Sequence, residues 1–532
     1  MYDYVIVGAG SAGCVLASRL TEDPDVSVLL IEAGPPDSIE NIHVPVAFSQ
    51  LIQSQVDWNY STLPEPFADR RRVQLPRGKT LGGSSSINWM VYIRGHRADF
   101  DEWRDGGCEG WGYEELLPYF KRSEDNERGA SEYHGTGGPL SVSDGRSHNP
   151  MPEAFLEACD QASQPRNEDF NGAEQDGFGR YQVTQSDGKR CSTAVGYLHP
   201  AMSRPNLHVE TFTLVHRVLF EGARAVGVQA SRLDELKEFR AERELILCGG
   251  AYNSPQLLML SGIGSAELLT MLEIPLVADL PAVGQNLQDH AGSGWLWTHD
   301  QPVSLLSALS EENMALFAAE GSGPLSSNGV ESGGFLRSRD GLPAPDLQFH
   351  VAGAMLLNEP IYEHGFTLAV YTAKPASRGW VTLRSPDPTV APFILHNYYA
   401  EDADMQAIMR GLRFASEIAA QPALAPYVSR PYDQPDTDSE QDLRAYLRRH
   451  TYTTFHPVGT CRMGSDAEAV VDTDLRVRGV EGLRVIDASV MPSIVRGNTN
   501  AATIAIAERA ADLVRGVGPL APAVSKAAAA AV

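Results

Sequence analysis

A glycine-rich segment near the start of the chain has the residue types and spacing of a dinucleotide-binding turn. Gly8, Gly10 and Gly13 follow an apolar run and precede a segment of helical periodicity. Glycines at these positions let the backbone approach a pyrophosphate at the positive end of a helix. Glu32 ends a second apolar run, where a carboxylate can accept hydrogen bonds from a ribose and repels a 2′-phosphate. The pattern predicts FAD or NAD rather than NADP, and leaves those two open.

Two later segments favour a flavin. Residues 77–88 (RGKTLGGSSSIN) form a run of small residues that could lie flat against a ring system, and residues 250–264 begin with GAYNSPQLL. These two runs resemble the signature motifs of the glucose–methanol–choline (GMC) oxidoreductase family. The resemblance extends from residue 2 to about residue 515 and is strongest to bacterial choline-dehydrogenase-like and aliphatic-alcohol-dehydrogenase-like members. It also includes VGQNLQDH at 283–290, SRGWVTLRSPDP at 377–388, FHPVGTCRMG at 455–464, RVIDASVMP at 484–492 and GNTNAATIAIAERAADL at 497–513.

The resemblance implies an α/β protein (α+β overall) with two interleaved domains. A Rossmann-like FAD-binding domain carries a substrate-binding cap domain built on a six-stranded antiparallel sheet. Alternating strand-like segments between residues 300 and 400 support such a cap independently. The predicted segments are FAD-binding at 1–150, cap-associated at 151–200, FAD-binding at 201–295, substrate-binding at 296–450, FAD-binding with the catalytic residues at 451–516, and a disordered Ala-rich tail at 517–532.

The cofactor contacts of the family can be transferred to positions of this sequence. In several relatives, a histidine in the second loop attaches FAD covalently. Ile87 stands at that position and has no nucleophile, so the resemblance predicts a non-covalent flavin. The implied FAD contacts are Gly8, Gly10, Ser11, Gly13, Glu32, Thr80, Gly82, Asn88, Val215, Asp487 and Asn498.

By the same resemblance, His456 and Asn500 carry the chemistry. Oxidation of an alcohol by hydride transfer to flavin N5 requires the hydroxyl proton to leave at about the same time, and a neutral imidazole can accept it. Asn500 would orient the hydroxyl oxygen by a hydrogen bond. Without the resemblance, a lone His456 is more simply a core histidine. The expected reaction converts a small primary alcohol to its aldehyde.

Other residues near these motifs have less specific signals. His350 and Phe455 are candidate substrate contacts, and His290 is expected to hold the domain interface. Thr454 lies where related oxidases often carry a small apolar side chain, so the electron acceptor stays open between O2 and a quinone or other carrier. The similarity to dehydrogenases favours the carrier. The rival hypotheses are an NAD-dependent dehydrogenase and a catalytically silent flavin-binding protein.

Composition restricts the possible partners. The 532 residues carry a net charge of −25, which argues against nucleic acid because phosphates require basic partners. The acidic balance is compatible with a cationic substrate, but a solubilising acidic surface is the favoured explanation. The six scattered cysteines lack metal-ligand spacing, so reduced thiols and no metal are expected.

No signal peptide or membrane span is predicted, and the expected location is cytoplasmic. Peripheral association with a membrane and oligomerisation are left open.

Overall fold

The computed structural model describes residues 1–233, 235–355 and 363–523. Two large sheets dominate the described part, and helices pack against them. The helices are α1 Ser11–Leu20, α2 Glu40–His43, α3 Arg97–Asp105, α4 Tyr113–Ser123, α5 Met151–Gln161, α6 His199–Ala201, α7 Gly250–Leu260, α8 Ala266–Met271, α9 Glu311–Glu320, α10 Asp402–Ala419, α11 Glu440–His450 and α12 Asn500–Arg515.

The strands fall into the two large sheets and several two- or three-stranded ribbons. They are β1 Tyr2–Val7, β2 Val28–Ile31, β3 Tyr60–Ser61, β4 Gln74–Leu75, β5 Glu124–Asn126, β6 Leu140–Asp144, β7 Gly177–Arg180, β8 Gln182–Val183, β9 Gln185–Ser186, β10 Lys189–Arg190, β11 Leu207–Glu210, β12 Thr213–Glu221, β13 Arg224–Arg232, β14 Glu235–Leu247, β15 Ile263–Gly264, β16 Ala278–Asp279, β17 Ala291–Thr298, β18 Val330–Leu336, β19 Leu347–Ala352, β20 Gly365–Thr372, β21 Trp380–Thr382, β22 Phe393–Leu395, β23 Arg430–Tyr432, β24 Tyr452–Thr453 and β25 Leu483–Val485.

The first large sheet forms the dinucleotide-binding domain. Its order is β11-β2-β1-β14-β13-β12, with β25 paired to β14. Strands β11, β2, β1, β14 and β25 run parallel, and the apolar side chains of β2 are all buried, as expected for a parallel strand covered on both faces. The turn after β1 and the residue after β2 therefore meet at the carboxyl edge of the sheet, where such folds bind ligands.

The second large sheet forms the cap. Its order is β23-β17-β20-β19-β18-β7, and the two-residue strand β24 also pairs with β17. The main path contains the six antiparallel strands that the resemblance predicts, and β24 adds a seventh. Strand β24 leads directly into the segment that carries His456. The cap sheet is thus joined to the reaction centre through a short strand at its edge.

Side-chain alternation divides the cap sheet into two faces. In β19, Leu347, Phe349 and Val351 belong to the apolar cluster that also contains residues of α5, α10 and α11. Gln348 and His350 alternate with them and therefore point to the opposite face. His350 lines the large cavity between the sheets. One face of the sheet builds the cap core, and the other supplies polar groups to the site.

The predicted segment boundaries require several corrections. Strand β7 joins the cap sheet, but residues 194–198 pack against α1 of the dinucleotide-binding domain. Strand β17 already belongs to the cap, although it begins within the segment predicted to bind FAD. The tail is ordered through residue 523, because Leu520 N–H donates to Tyr119 Oη at 3.0 Å and Ala523 N–H donates to the Glu114 carbonyl at 3.0 Å. The rest of the predicted tail, 524–532, lies outside the described residues.

Candidate active site

A cavity of about 1730 Å³ extends from the glycine turn after β1 to the inner face of the cap sheet. It exceeds the roughly 300–1,000 Å³ of a typical small-ligand pocket, so it has room for a dinucleotide and a second small molecule. The residues that the sequence predicts for the site and that border this cavity are Gly8, Gly10, Ser11, Glu32, Asn88, Val215, Asp487, Asn498, Asn500, His350, Phe455 and His456. The sequence therefore located both ends of one continuous site.

The glycine turn is shaped to lie against a flat or extended ligand. A Cβ atom on Gly8 would lie 2.5 Å from the Cys248 carbonyl oxygen, and one on Gly13 would lie 2.0 Å from the Gly8 carbonyl oxygen. Gly83, in the second loop, packs so closely that its Cβ would lie 2.6 Å from Gly10 Cα. The two predicted loops thus contact each other, and side chains are excluded where they meet. This arrangement fits the pyrophosphate-binding role that the spacing predicts.

Glu32 closes the nucleotide end of the cavity. Its carboxylate accepts hydrogen bonds from the N–H groups of Ala9 and Gly34, each at 2.9 Å. Burial raises the pKa of Glu32 to about 7, while these N–H groups and the charge of Lys79 oppose the rise. Val215 lies on the same part of the wall. An acceptor at the end of β2 and an apolar surface beside it are suited to a ribose and an adenine ring.

Asp487 and Asn88 hold the wall in the middle of the site. Asp487 accepts hydrogen bonds from Gly250 N–H at 2.8 Å and from the Ser254 hydroxyl at 2.6 Å. Asn88 Oδ1 accepts one from Arg190 at 2.8 Å. Both side chains also border the cavity, and their contact with the cofactor stays a prediction.

Three of the residues predicted to contact the cofactor lie within the surrounding loops and not at the cavity surface. Gly13 allows α1 to pack against the turn, as its blocked Cβ position shows. Thr80 donates to the Pro35 carbonyl at 2.9 Å, and Gly82 adopts a φ of 84° that places its Cβ direction against Ser86. None of the three is among the described residues that border the cavity. They shape the loops that would hold the cofactor.

His456 lies at the inner end of the cavity. The residue before it, Phe455, has a φ of 64°, an unfavourable conformation for a bulky residue. Phe455 N–H donates to Thr453 Oγ1 at 2.8 Å, and Arg77 Nη2 donates to the Phe455 carbonyl at 2.6 Å. These contacts hold the strained turn that directs His456 into the cavity, and Phe455 itself borders the cavity as predicted.

Asp289 anchors the same turn from the cap side. Its Oδ1 accepts hydrogen bonds from the N–H groups of His456 at 2.8 Å and His290 at 2.9 Å. Its Oδ2 accepts from Tyr398 at 2.7 Å and from the Thr453 hydroxyl. One buried carboxylate therefore fixes the start of β17 relative to the histidine turn. The LQDH motif gave no sign of this role.

Asn498, rather than Asn500, lies beside His456. Asn498 Nδ2 is 3.2 Å from His456 Nε2, and Asn498 Oδ1 accepts from Gln348 Nε2 at 3.3 Å. Asn500 is the first residue of α12, and its Oδ1 accepts from the Ser11 hydroxyl at 2.6 Å in the glycine turn. The Asn500 side chain is thus hydrogen-bonded to Ser11 and not to His456, although both His456 and Asn500 border the cavity. The helix start turns Asn500 toward the cofactor loop and leaves Asn498 facing the histidine.

Two further histidines surround His456. His290 is buried, and its Nδ1 lies 3.0 Å from His456 Nδ1. The histidine expected at the domain interface therefore also contacts the imidazole ring of His456, at the nitrogen that does not face Asn498. His350 borders the cavity between the rings of Tyr181 and Tyr371, at centroid distances of 5.6 and 5.1 Å. Burial lowers the pKa of His290 to about 4 and that of His350 to about 3.

The electrostatic environment keeps His456 neutral. Burial lowers the pKa of His456 well below its usual value, and His290, His350 and Arg77 lower it further. A charged imidazolium is disfavoured there before reaction, so at neutral pH the ring is present as a base. A neutral imidazole next to an amide N–H can receive a proton from a hydroxyl while the amide binds the hydroxyl oxygen.

Comparison with known proteins agrees with this arrangement. Residues 2–292 and 375–507 match the GMC oxidoreductase family. The chain belongs to the GMC oxidoreductase family. Mitochondrial choline dehydrogenase of Mus musculus is 46% identical over 97% of this chain and 89% of that protein. Oxygen-dependent choline dehydrogenase of Escherichia coli O17:K52:H18 (strain UMN026 / ExPEC) is 45% identical over 97% of this chain and 96% of that protein.

Solved structures support the same assignment. The crystal structure of pyridoxine 4-oxidase from Mesorbium loti superposes with a TM-score of 0.89 at 32% identity, covering 97% of this chain and all of that one. The predicted family, fold class and FAD cofactor are therefore confirmed. This GMC oxidoreductase is an FAD-dependent enzyme that oxidises an alcohol.

Other predicted properties concern metals, cysteines and membranes. Among the described residues, no group of three or more His, Cys, Asp or Glu side chains is placed to bind a metal ion. All six cysteines are buried and unpaired. No helix within the described ranges has both the length and the apolarity that crossing a membrane requires.

Proposed function

We propose that this GMC oxidoreductase oxidises a small, uncharged primary alcohol to the aldehyde, with His456 as the base and Asn498 as the group that positions the hydroxyl. The 3.2 Å contact between His456 Nε2 and Asn498 Nδ2 is the observation that carries this proposal. A hydroxyl oxygen that lies within hydrogen-bond distance of both atoms and replaces their direct contact would give its proton to Nε2 and accept a hydrogen bond from Nδ2. Asn498 replaces Asn500 in the role assigned from sequence.

FAD, when bound, supplies the acceptor for the hydride of the alcohol carbon. The residues of this chain perform the other tasks. Gly8, Gly10 and Glu32 would hold the dinucleotide, and Gln348 fixes the Asn498 amide so that its N–H faces His456. Anaerobic mixing of the holoenzyme with a panel of alcohols tests the activity, because loss of the oxidised flavin absorbance reports each turnover. An enzyme that no alcohol reduces would contradict the proposal.

Charge around His456 favours an uncharged substrate. The groups that perturb its pKa are two neutral imidazoles and the buried Arg77 guanidinium. The described acidic residues on the cavity wall are Glu32, Glu40, Glu363 and Asp487. Glu32 lies at the dinucleotide end, Asp487 accepts from Gly250 and Ser254 in the middle of the site, and Glu363 pairs with Arg430 at 2.6 Å. A quaternary ammonium is stabilised by aromatic faces and carboxylates. Aromatic residues border the cavity, but among the described residues no carboxylate is hydrogen-bonded to the imidazole ring of His456; Asp289 contacts only its backbone N–H.

The choline dehydrogenase relatives make choline the natural comparison. Choline and 3,3-dimethylbutan-1-ol have the same shape and differ in charge. We expect the uncharged alcohol to reduce the flavin with a second-order rate constant at least about tenfold higher, because a buried cation without a charge partner costs more than the roughly 1.4 kcal/mol of a tenfold effect. Stopped-flow reduction at low concentrations of each alcohol measures the ratio. Preference for choline would contradict the uncharged class and leave alcohol oxidation intact.

Ile87 predicts a flavin held without a covalent bond. It is buried at the cavity wall, where it packs with Ile42, Leu51 and Val56. An aliphatic side chain has no atom that could attack the flavin, so acid precipitation should release all of the FAD. The expected result is a yellow supernatant and a colourless washed pellet. Flavin fluorescence that stays with the denatured chain on a gel would contradict non-covalent binding.

We further propose that the reduced enzyme passes its electrons to a quinone or another carrier rather than to O2. The dehydrogenase name of the mitochondrial relative at 46% identity supports this, as does the hydroxyl of Thr454 beside His456, whereas the name of the Escherichia coli relative includes oxygen. Mixing the alcohol-reduced enzyme with buffer containing either O2 or a soluble quinone distinguishes the two acceptors.

A further inference from the structure

The hydroxyl of Thr454 lies against the nitrogen of His456 that faces away from the substrate position. Thr454 Oγ1 is 2.7 Å from His456 Nδ1 and 3.4 Å from the His290 carbonyl oxygen. The other nitrogen, Nε2, faces Asn498 Nδ2 at 3.2 Å. The two ring nitrogens of His456 therefore have partners of different chemical character.

These partners together select one tautomer. The His290 carbonyl can only accept, so the Thr454 hydroxyl can donate to it, at 3.4 Å, while a lone pair of Oγ1 faces Nδ1 of His456. The Asn498 amide N–H can only donate, so it requires a lone pair on Nε2. Both requirements are met when the proton of His456 is on Nδ1.

We propose that Thr454 is a positioning residue that keeps the proton of His456 on Nδ1, leaves Nε2 free to take the alcohol proton, and stabilises the resulting imidazolium. This rests on the proposed role of His456 as the base. In the step, the hydroxyl O–H bond breaks, its proton binds Nε2, and the Nδ1 proton stays in place while the hydride goes to FAD. The imidazolium then donates its Nδ1–H to Thr454.

The surroundings of His456 make this acceptor important. His290 Nδ1 is a second neighbour of the same nitrogen, at 3.0 Å; its low pKa keeps the His290 ring neutral, and it can accept this N–H when its own proton is on Nε2. The remaining groups that act on the His456 charge, His350 and Arg77, disfavour the imidazolium. Asp289 contacts the backbone N–H of His456. Among the described residues, the hydrogen bonds to the imidazole ring itself therefore come from neutral groups, and Thr454 makes the shortest of them.

Two substitutions separate the hydroxyl from the shape of the side chain. Thr454→Val keeps the shape and loses the hydroxyl, whereas Thr454→Ser keeps the hydroxyl and loses a methyl group. We expect Thr454→Val to slow flavin reduction at saturating alcohol by about 10- to 100-fold, the range for a lost hydrogen bond to a charged group. Thr454→Ser should stay within about threefold of the wild type, because the acceptor remains.

The pH dependence provides a second readout. Loss of an acceptor for the imidazolium N–H lowers the pKa of His456, and the reaction requires the neutral ring. The acid limb of the rate profile should therefore lie at lower pH in Thr454→Val than in the wild type. Thr372→Val is the matched control, because it removes a buried hydroxyl that contacts the Ala291 carbonyl at 3.2 Å in the cap sheet. Its reduction rate should be unchanged.

Three results would overturn the proposal: a wild-type rate in Thr454→Val, a Thr454→Ser variant as slow as Thr454→Val, or an acid limb that stays in place or moves to higher pH. His456→Ala, measured in parallel, identifies which claim has failed. A slow His456→Ala variant beside an unaffected Thr454→Val variant would refute only the role of Thr454. An unaffected His456→Ala variant would refute the proposed base.

Discussion

Replacement of His456 by alanine is expected to slow flavin reduction at saturating alcohol by a factor of about 10² to 10⁴, the usual contribution of a general base. His456 is the neutral imidazole at the inner end of the cavity, and its Nε2 faces Asn498 Nδ2. Without it, the hydroxyl proton has no described acceptor at that position. Anaerobic stopped-flow mixing of the FAD-loaded variant with a good substrate measures the effect.

The same variant should keep its FAD. His456 is held by Asp289 through its backbone N–H, and that contact survives the substitution. The glycine turn and Glu32 lie at the other end of the cavity. The FAD-to-protein ratio and the visible spectrum of the purified variant therefore serve as the control. A variant that contains FAD and is reduced at the wild-type rate would move the base elsewhere, and His290 would be the first residue to substitute.

The dinucleotide end of the site could be predicted because its chemistry is local in sequence. A turn that approaches a pyrophosphate needs glycine where a Cβ would collide, and Gly8 and Gly13 show those collisions. Glu32 follows β2 directly, and parallel strands bring their carboxyl ends to one edge. Strand β1, the glycine turn, helix α1 and Glu32 therefore follow one another along the chain, and they are also neighbours in the folded structure.

The partner of His456 could not be predicted in the same way. Asn498 and Asn500 are separated by one residue, so the motif alone does not show which side chain faces the histidine. The decision depends on where α12 begins. Because Asn500 is its first residue, the Asn500 side chain reaches Ser11, and Asn498 remains in the preceding turn opposite Gln348. Helix boundaries are the least certain part of a sequence-based prediction.

The groups behind His456 were hidden for a different reason. Arg77 and the adjacent pair Asp289 and His290 come from parts of the chain distant from His456, and they meet it only when the cap sheet docks onto the dinucleotide-binding domain. Thr454 is only two residues from His456, but its contact with Nδ1 depends on the direction of the side chain in the turn. The motifs predicted an interface role for His290 and left the role of Thr454 ambiguous. Which side chains meet across such an interface depends on the strand register and on the direction of each side chain. The spacing of residues within a motif gives no information about either.

Substitution of Asn498 tests the reassigned role. If its amide N–H binds the hydroxyl oxygen as negative charge develops there, Asn498→Ala should slow flavin reduction by about 30- to 1000-fold, equivalent to roughly 2–4 kcal/mol. Asn498→His should be faster than Asn498→Ala, because an imidazole N–H can donate to the same oxygen. Asn498→Asp should be slow, because a carboxylate lacks the donor and repels the developing alkoxide. Rapid reduction at saturating alcohol gives this order directly.

Asn500→Ala is the matched control, since it removes the same side chain two residues away. Its Oδ1 accepts from the Ser11 hydroxyl in the glycine turn, so its loss should weaken retention of FAD and leave the reduction rate of FAD-loaded enzyme within about threefold of the wild type. Asn498→Ala should show the opposite pattern, with FAD retained and reduction slowed. If Asn500→Ala instead lost the rate and Asn498→Ala kept it, the oxygen-binding group would be Asn500, as the sequence alone predicted. If both kept the rate and only raised the half-saturating alcohol concentration, neither amide would act in the transition state, because a contact that binds ground and transition states equally changes affinity alone.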